Sequence, residues 1–241
     1  MTMTLPRPHL PLARLAAAAM LAIGLCAPAL QAARASDADT AQELVDEATW
    51  TVERILSNEN FKGRIDPYLA KAKAVMIFPA YLKAGLILGG EGGSGVLLAR
   101  ASNGEWSYPA FFNMGGGSFG LQIGGQKSEL MLVFMTTKGL EAVMSNRVTV
   151  GGDISAAVGP MGEGYQAKTT SNLDADILSY RTNEGAFIGA AIDGAAIWER
   201  DSLNRAYYGW EGVNARAIVF NGDHRNPAAD KLRETLTKLP R

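Results

Sequence analysis

The chain is nearly without cysteine and histidine: 241 residues contain one cysteine, Cys26, and two histidines. A histidine-rich metal centre, a disulfide framework and most thiol chemistry are thereby excluded. Neither sign of charge is in excess, with 23 basic against 24 acidic residues, so no global positive field recruits nucleic acid. No calcium-loop pattern surrounds Asp174 and Asp176, which read as capping, solvated residues at a strand entry. Beyond residue 35 no apolar run is long enough to cross a bilayer as a helix. The chain has instead 47% apolar residues, which excludes disorder, and 27 glycines without the three-residue period of collagen.

Residues 1–35 read as a cleaved export signal. Arg7 and Arg14 precede 13 uncharged residues (15–27), Pro28 breaks that run, and Ala33-Arg34-Ala35 offers the small-x-small pattern of a signal peptidase site. The bulky Leu25 before Cys26 argues against lipid anchoring there. The expectation is a periplasmic protein that begins at Ser36. Loss of Arg7, Arg14 and Arg34 leaves 20 basic and 24 acidic residues, and His224 is then its one histidine. With no disulfide available, the core of residues 36–241 has to hold the fold.

Along residues 36–58, Ala41, Leu44, Val45, Ala48, Val52, Ile55 and Leu56 recur at helical spacing, behind an acidic start at Asp37, Asp39 and Glu43. Asp66-Pro67 reads as a cap and first-turn proline of a short helix, and Asn226-Pro227 as the same pair for a closing helix. Thr137 is expected to cap a helix over 138–145. Between them the texture is that of strands: apolar runs at 75–78 and 130–135, alternation at 119–123 and 148–158, and a turn at Asn103-Gly104. Thirteen glycines fall between Gly85 and Gly125, a density that demands bulges, corners or close backbone approach. The fold expected is a single α+β domain with its core at about residues 60–212. A strongly coiled, glycine-rich antiparallel sheet or partial barrel is flanked by N- and C-terminal helices.

Three glycine motifs invite an enzymatic reading. Gly90-x-Gly92-x-x-Gly95 matches a dinucleotide fingerprint, but the residues after it lead into the turn at Asn103-Gly104 instead of a helix. Gly115-x-Gly117-x-x-Gly120 has the same defect. Gly116-Gly117-Ser118-Phe119-Gly120 matches a nucleophile elbow, which would make Ser118 and His224 a hydrolase pair, yet the residues after Ser118 alternate like a strand.

A longer set of residues carries more. Ile65-Asp66-Pro67, Ala70-Lys71-Ala72-Lys73-Ala74-Val75 and Lys83-Ala84-Gly85-Leu86-Ile87-Leu88-Gly89-Gly90 are followed by Gly104-Glu105-Trp106-Ser107-x-Pro109. Then come Gly120-Leu121-Gln122-Ile123-Gly124, Gly159-Pro160, Gly185-Ala186-Phe187-Ile188-Gly189, Asn204 and Tyr207-Tyr208-Gly209. In this order, over nearly all of residues 36–241, the chain resembles the SYLF domain family. The resemblance implies a non-enzymatic module that binds lipid, including phosphoinositide membranes, and needs no cofactor or metal. Eukaryotic relatives join it to SH3 or FYVE domains, yeast relatives also bind actin filaments, and an N-terminal amphipathic helix is tied to membrane contact. Here the corresponding helix is acidic, with Arg54 its one basic residue, so its apolar stripe is expected on the sheet instead of a bilayer.

The basic residues sit just downstream. Lys62, Arg64, Lys71, Lys73 and Lys83, interspersed with Phe61, Tyr68 and Tyr81, form a basic and aromatic segment. Such a segment attracts anionic phospholipid by about 1 kcal/mol per cation, with rings at headgroup level. The opposing reading is a solvated helix face whose lysine stems cover apolar neighbours. The functional expectation is a membrane-associated lipid-binding protein of the bacterial envelope. Its rivals are an envelope structural or protein-interaction module, a serine hydrolase and a transmembrane β-barrel.

Overall fold

The computed structural model describes residues 36–58, 65–85, 88–119, 124–145, 147–158, 175–183, 186–187, 192 and 194–238. The signal segment with Cys26, and also Phe61, Lys62, Arg64 and Asp174, lie outside the described residues.

Two helices come first, α1 (Asp37–Ser57) and α2 (Asp66–Lys71). Four long strands follow: β1 (Ala74–Gly85), β2 (Leu88–Ala99), β3 (Ala110–Phe119) and β4 (Gly124–Phe134). The rest is α3 (Thr137–Ser145), β5 (Val148–Thr149), β6 (Ala156–Val158), β7 (Ile177–Asn183), β8 (Ala186–Phe187), β9 (Ala196–Glu199), α4 (Asp201–Tyr208) and α5 (Asp230–Thr237). The strands make one curled half-barrel in the order β5-β9-β3-β2-β1-β4-β7-β6, with β8 paired to β7. The α+β single domain expected from the sequence is found. One detail differs: β6 runs parallel to β7, so the sheet is mixed at that edge. The 18 residues between them, 159–176, suffice for the crossover a parallel pair requires.

Both faces of the sheet are covered, which is why the runs at 75–78 and 130–134 are continuous instead of alternating. Val75, Ile77, Val96, Leu98, Met131 and Val133 pack in one core with residues of α1, α4 and α5. Met76, Phe78, Leu97, Phe112, Leu132 and Phe134 pack in the other, with Leu140 and Val143 of α3 and with Ile218 and Val219. Over Val75–Phe78 and Leu130–Phe134 both faces of the sheet are buried in protein, whereas the outer face of a transmembrane barrel meets lipid. Helix α1 buries Ala41, Val45, Ala48, Val52 and Ile55 almost completely. Each Val or Ile contributes about 1.5–3 kcal/mol by that burial. The acidic helix therefore lies on the sheet, as its charge predicts.

The curl has a local cause. Pairing of β1 shifts register between Ile77 and Leu82 against β2, and between Phe78 and Tyr81 against β4. The irregularity contains Pro79, which has no N–H for the ladder, and bulged strands bend and twist more strongly. Strand β2 passes this bulge so closely that a Cβ on Gly93 would lie 2.4 Å from the Ala80 carbonyl oxygen. One on Gly95 would lie 2.5 Å from that of Ile77. Close backbone approach is thus the reason for part of the glycine density.

Helix starts are displaced by one residue from two expectations. Thr136, not Thr137, caps α3: its Oγ1 accepts from the Gly139 N–H at 3.0 Å. Asp66 is the first residue of α2, after Ile65, and makes the first turn acidic. Asn226 caps as expected, accepting from the Ala228 N–H at 3.1 Å. Asp176 is a correction, because it is buried at 5% exposure instead of solvated. Its carboxylate accepts from the Thr136 hydroxyl (2.6 Å), the Ser155 N–H (3.0 Å) and the Ser155 hydroxyl (2.9 Å), tying the start of α3 to β7.

Candidate functional site

The structure divides the basic and aromatic segment. Lys71 ends α2 and Lys73 lies two residues on, both exposed at the start of β1, while Tyr68 is half-buried against the core beneath α1. Lys83 is ten residues further along β1, about 30 Å away at strand rise. There it lies 3.8 Å from Glu91, its cross-strand partner on β2. Tyr81 is fully buried and cannot reach a headgroup layer. Burial raises its pKa above the ordinary phenol value, the nearby Glu91 charge adds to that, and Arg181 opposes it. The sequence grouped Tyr81 with the cations that flank it along the chain, and nothing in the apolar run at 75–78 signals the bulge that follows. The bulge at Phe78–Tyr81 instead aims the ring into the core beside Phe78, whose ring centre is 6.2 Å away.

The enzymatic alternatives fare differently from one another only in detail. Ser118 lies inside β3, paired with Gly89, and not on the strand-to-helix turn that exposes a nucleophile. His224 packs instead between Tyr208 and Trp210, with ring centres at 5.8 and 4.9 Å. Gly90, Gly92 and Gly95 all lie within β2, with no helix N-terminus after them to meet a pyrophosphate. Among the described residues no group of three or more acidic, histidine or cysteine side chains converges to hold a metal. No helix among them is long and apolar enough to cross a membrane.

The surface with a shaped opening lies beside Lys83's end of the sheet. The last turns of α1 stand over β1, β4 and β7 and leave a groove of about 810 Å³ whose lining includes Glu47, Trp50, Arg54, Pro79, Lys127 and Glu129. Trp50 is 50% exposed although it is the largest side chain type available. Leu82, directly across the ladder from Lys127, is 54% exposed. One wall of the groove is fixed by polar contacts. Glu129 accepts from Arg54 Nε at 2.8 Å and also from Arg54 Nη2, from the Thr51 hydroxyl at 3.2 Å and from the Thr182 hydroxyl at 3.1 Å. Arg54, itself exposed, is thereby paired with Glu129, and Lys127 is a second exposed cation of the rim. Sequence reading passed over Trp50, Leu82 and Lys127 because each is one unremarkable residue on a different element. The available signal was Trp50 on the polar face of an amphipathic helix, where an indole has no packing reason to be.

A second, smaller cavity of about 360 Å³ lies between residues 101–108 and 219–233. Its polar groups serve the fold. Arg233 donates to the Trp106 carbonyl at 2.9 Å and covers the Tyr108 ring at 4.2 Å, and the Tyr108 hydroxyl donates to Asp230 at 2.8 Å.

Comparison with known proteins agrees with the SYLF resemblance. A family model described as "Ysc84: Las17-binding protein actin regulator" matches residues 115–239, just over half of the chain. The SH3 domain-containing YSC84-like protein 1 of Bos taurus is 32% identical over 185 residues, covering 75% of this chain and 53% of the relative. That of Homo sapiens is 30% identical over 184 residues, with coverage of 75% and 53%. Protein YSC84 of Saccharomyces cerevisiae is 29% identical over 171 residues, 70% of this chain and 36% of the yeast protein. The chain spans about half the length of the vertebrate relatives it matches.

Proposed function

We propose that this chain, which belongs to the Ysc84 (SYLF) family, is a non-enzymatic module of the bacterial envelope that attaches peripherally to anionic phospholipid surfaces. The observation that carries the reading is the placement of two large apolar side chains, each about half exposed, around the Lys127 cation: Trp50 lines the open groove with it and Leu82 stands across the ladder from it. A tryptophan with an apolar body and a polar N–H suits the headgroup boundary. A lysine at that level adds about 1 kcal/mol of attraction to an anionic leaflet. Lys71 and Lys73 lie too far along β1 to share this contact. The placement of Ser118 within β3 and of Gly90, Gly92 and Gly95 within β2, where neither motif meets the turn its chemistry requires, supports the non-enzymatic reading. Residues 1–35 support export to the periplasm.

A protein partner is the competing reading, favoured by the name of one yeast relative, LAS seventeen-binding protein 3. Vesicle sedimentation of the protein separates the two. Binding to vesicles of phosphatidylcholine and phosphatidylglycerol in about equal parts, weaker on phosphatidylcholine alone and reduced by high salt, is expected for the lipid reading. Equal partitioning onto both vesicle types, or no partitioning, overturns it.

A further inference from the structure

The groove beside α1 has a chemistry of its own behind the Trp50 and Lys127 rim. Glu47, Trp50, Arg54 and Ser57 recur at three- and four-residue spacing, so a carboxylate, an indole, a guanidinium and a hydroxyl follow one another along one face of the helix. From Glu47 to Ser57 this wall runs about 15 Å along the helix axis. Pro79, Lys127 and Thr182 line the side made by the sheet. The acids Glu47 and Glu129 meet the cations Arg54 and Lys127, so the lining is electrically balanced. Glu129 is committed to Arg54, Thr51 and Thr182, which fixes the floor before any ligand arrives. Other groups are still open. Among the described residues no hydrogen bond or ion pair engages the Glu47 carboxylate, the Lys127 ammonium or the Trp50 N–H.

These features select among ligands. An acyl chain laid in the groove would strip water from four ionised groups without replacing it. A lone anion would gain Lys127 but meet Glu47 and a guanidinium already shared with Glu129. A hexose ring asks for what is present. Its hydroxyls need acceptors and donors side by side, and its C–H face carries the partial positive charge that suits the negative face of an aromatic ring. The volume of about 810 Å³ falls within the roughly 300–1,000 Å³ of small-ligand clefts.

We propose that this groove binds a short oligosaccharide, one hexose ring stacked on Trp50 and its hydroxyls held by Glu47, Arg54 and Lys127. The inference goes beyond the lipid reading. Leu82 lies outside the groove lining and Glu47 outside the lipid contact, so the two readings fail separately. The same ring chemistry reaches the groove either as a free glycan or as the headgroup of a glycolipid.

The test is titration of the protein with cellobiose and with N,N′-diacetylchitobiose in buffer without lipid, followed by saturation-transfer NMR. Transfer to the ring C–H protons is expected, with a millimolar or tighter dissociation constant. Trp50→Ala and Glu47→Ala should each weaken binding about tenfold, and Trp50→Phe, which keeps an aromatic face, less than about threefold. Leu82→Asp should lower sedimentation with vesicles of phosphatidylcholine and phosphatidylglycerol and leave sugar binding unchanged. Glu47→Ala should do the reverse. Lys127→Ala should weaken both, vesicle partitioning by about fivefold. Uncharged vesicles of phosphatidylcholine with digalactosyldiacylglycerol, against phosphatidylcholine alone, separate the two sources. Sedimentation with the first only, competed by cellobiose, assigns a glycolipid headgroup, whereas binding of the soluble sugars without it assigns a free glycan. No transfer to either disaccharide together with no sedimentation on the glycolipid vesicles overturns the sugar site and leaves the lipid reading standing. Sugar binding that survives both Trp50→Ala and Glu47→Ala overturns it as well.

Discussion

The guanidinium of Arg181 lies over the Tyr81 ring, 4.9 Å from its centre, at 6% exposure and with Nε and Nη2 making no hydrogen bond. The ring face is thus a principal partner of a buried cation, a contact worth about 2 kcal/mol or more when desolvated. The Tyr81 hydroxyl is itself buried without a hydrogen bond. What Tyr81 contributes is its ring, inside the molecule.

Replacing that ring and replacing its hydroxyl should accordingly differ. Tyr81→Phe keeps the ring and is expected to change stability by no more than about 1 kcal/mol, because the lost hydroxyl had no partner. Tyr81→Ala is expected to cost about 3–5 kcal/mol in urea unfolding. Vesicle binding of the Phe variant should equal that of the parent. A selective loss of binding by the Phe variant would return Tyr81 to the contact surface.

The glycines should separate into two classes by the same measurement. Gly93→Ala forces a Cβ to within 2.4 Å of the Ala80 carbonyl oxygen and should cost about 3 kcal/mol or prevent folding. Gly117→Ala and Gly125→Ala meet open space and should be neutral or stabilising by up to about 1 kcal/mol. Equal destabilisation at 93 and 117 would contradict the close approach at the β1 bulge.

Asp176 gives the protein an acid limit. Burial pushes its pKa up, but hydrogen bonds from Thr136 and Ser155, together with the Lys138 ammonium, outweigh that and lower it from 3.8 to about 2. A carboxyl depressed in the folded state contributes fully above its unfolded pKa. That contribution, about 2 kcal/mol, is lost as pH falls from about 4 to about 2. Asp176→Asn should lower stability by a similar amount near neutral pH and flatten the acid limb of thermal midpoint against pH. An unchanged acid limb would remove Asp176 as its cause.

Charge reversal at the two ends of β1 should have unequal effects. Lys71→Glu with Lys73→Glu lies nearly four Debye lengths (about 30 Å against about 8 Å) from the Leu82–Lys127 edge at physiological salt and should change vesicle partitioning less than about twofold. A larger loss than that produced by Lys127→Ala would place the contact at the start of β1 instead.

Much of the fold was legible along the chain because the signals were local. The 3- and 4-residue spacing from Ala41 to Ile55 defined α1, unbroken apolar runs marked strands covered on both faces, and Asn226-Pro227 marked the last helix start. The parallel β6–β7 pair was not legible, since it depends on which strands meet across 18 intervening residues. For the site, the sequence found the cations and aromatics without their neighbours. Lys71 and Lys73 keep their exposure, Lys83 faces Glu91, and Tyr81 is inside.

Composition and spacing alone determined the class of this protein: an α+β domain, acidic at its first helix and dense in glycine at its centre. Tertiary structure decided which glycines are required by contact and which stand in open space, and which charged residues share a surface. Periodicity records how a residue relates to its neighbours along one element. The bulge in β1 and the pairing of Leu82 with Lys127 arise between elements, where distance along the chain no longer measures distance in space.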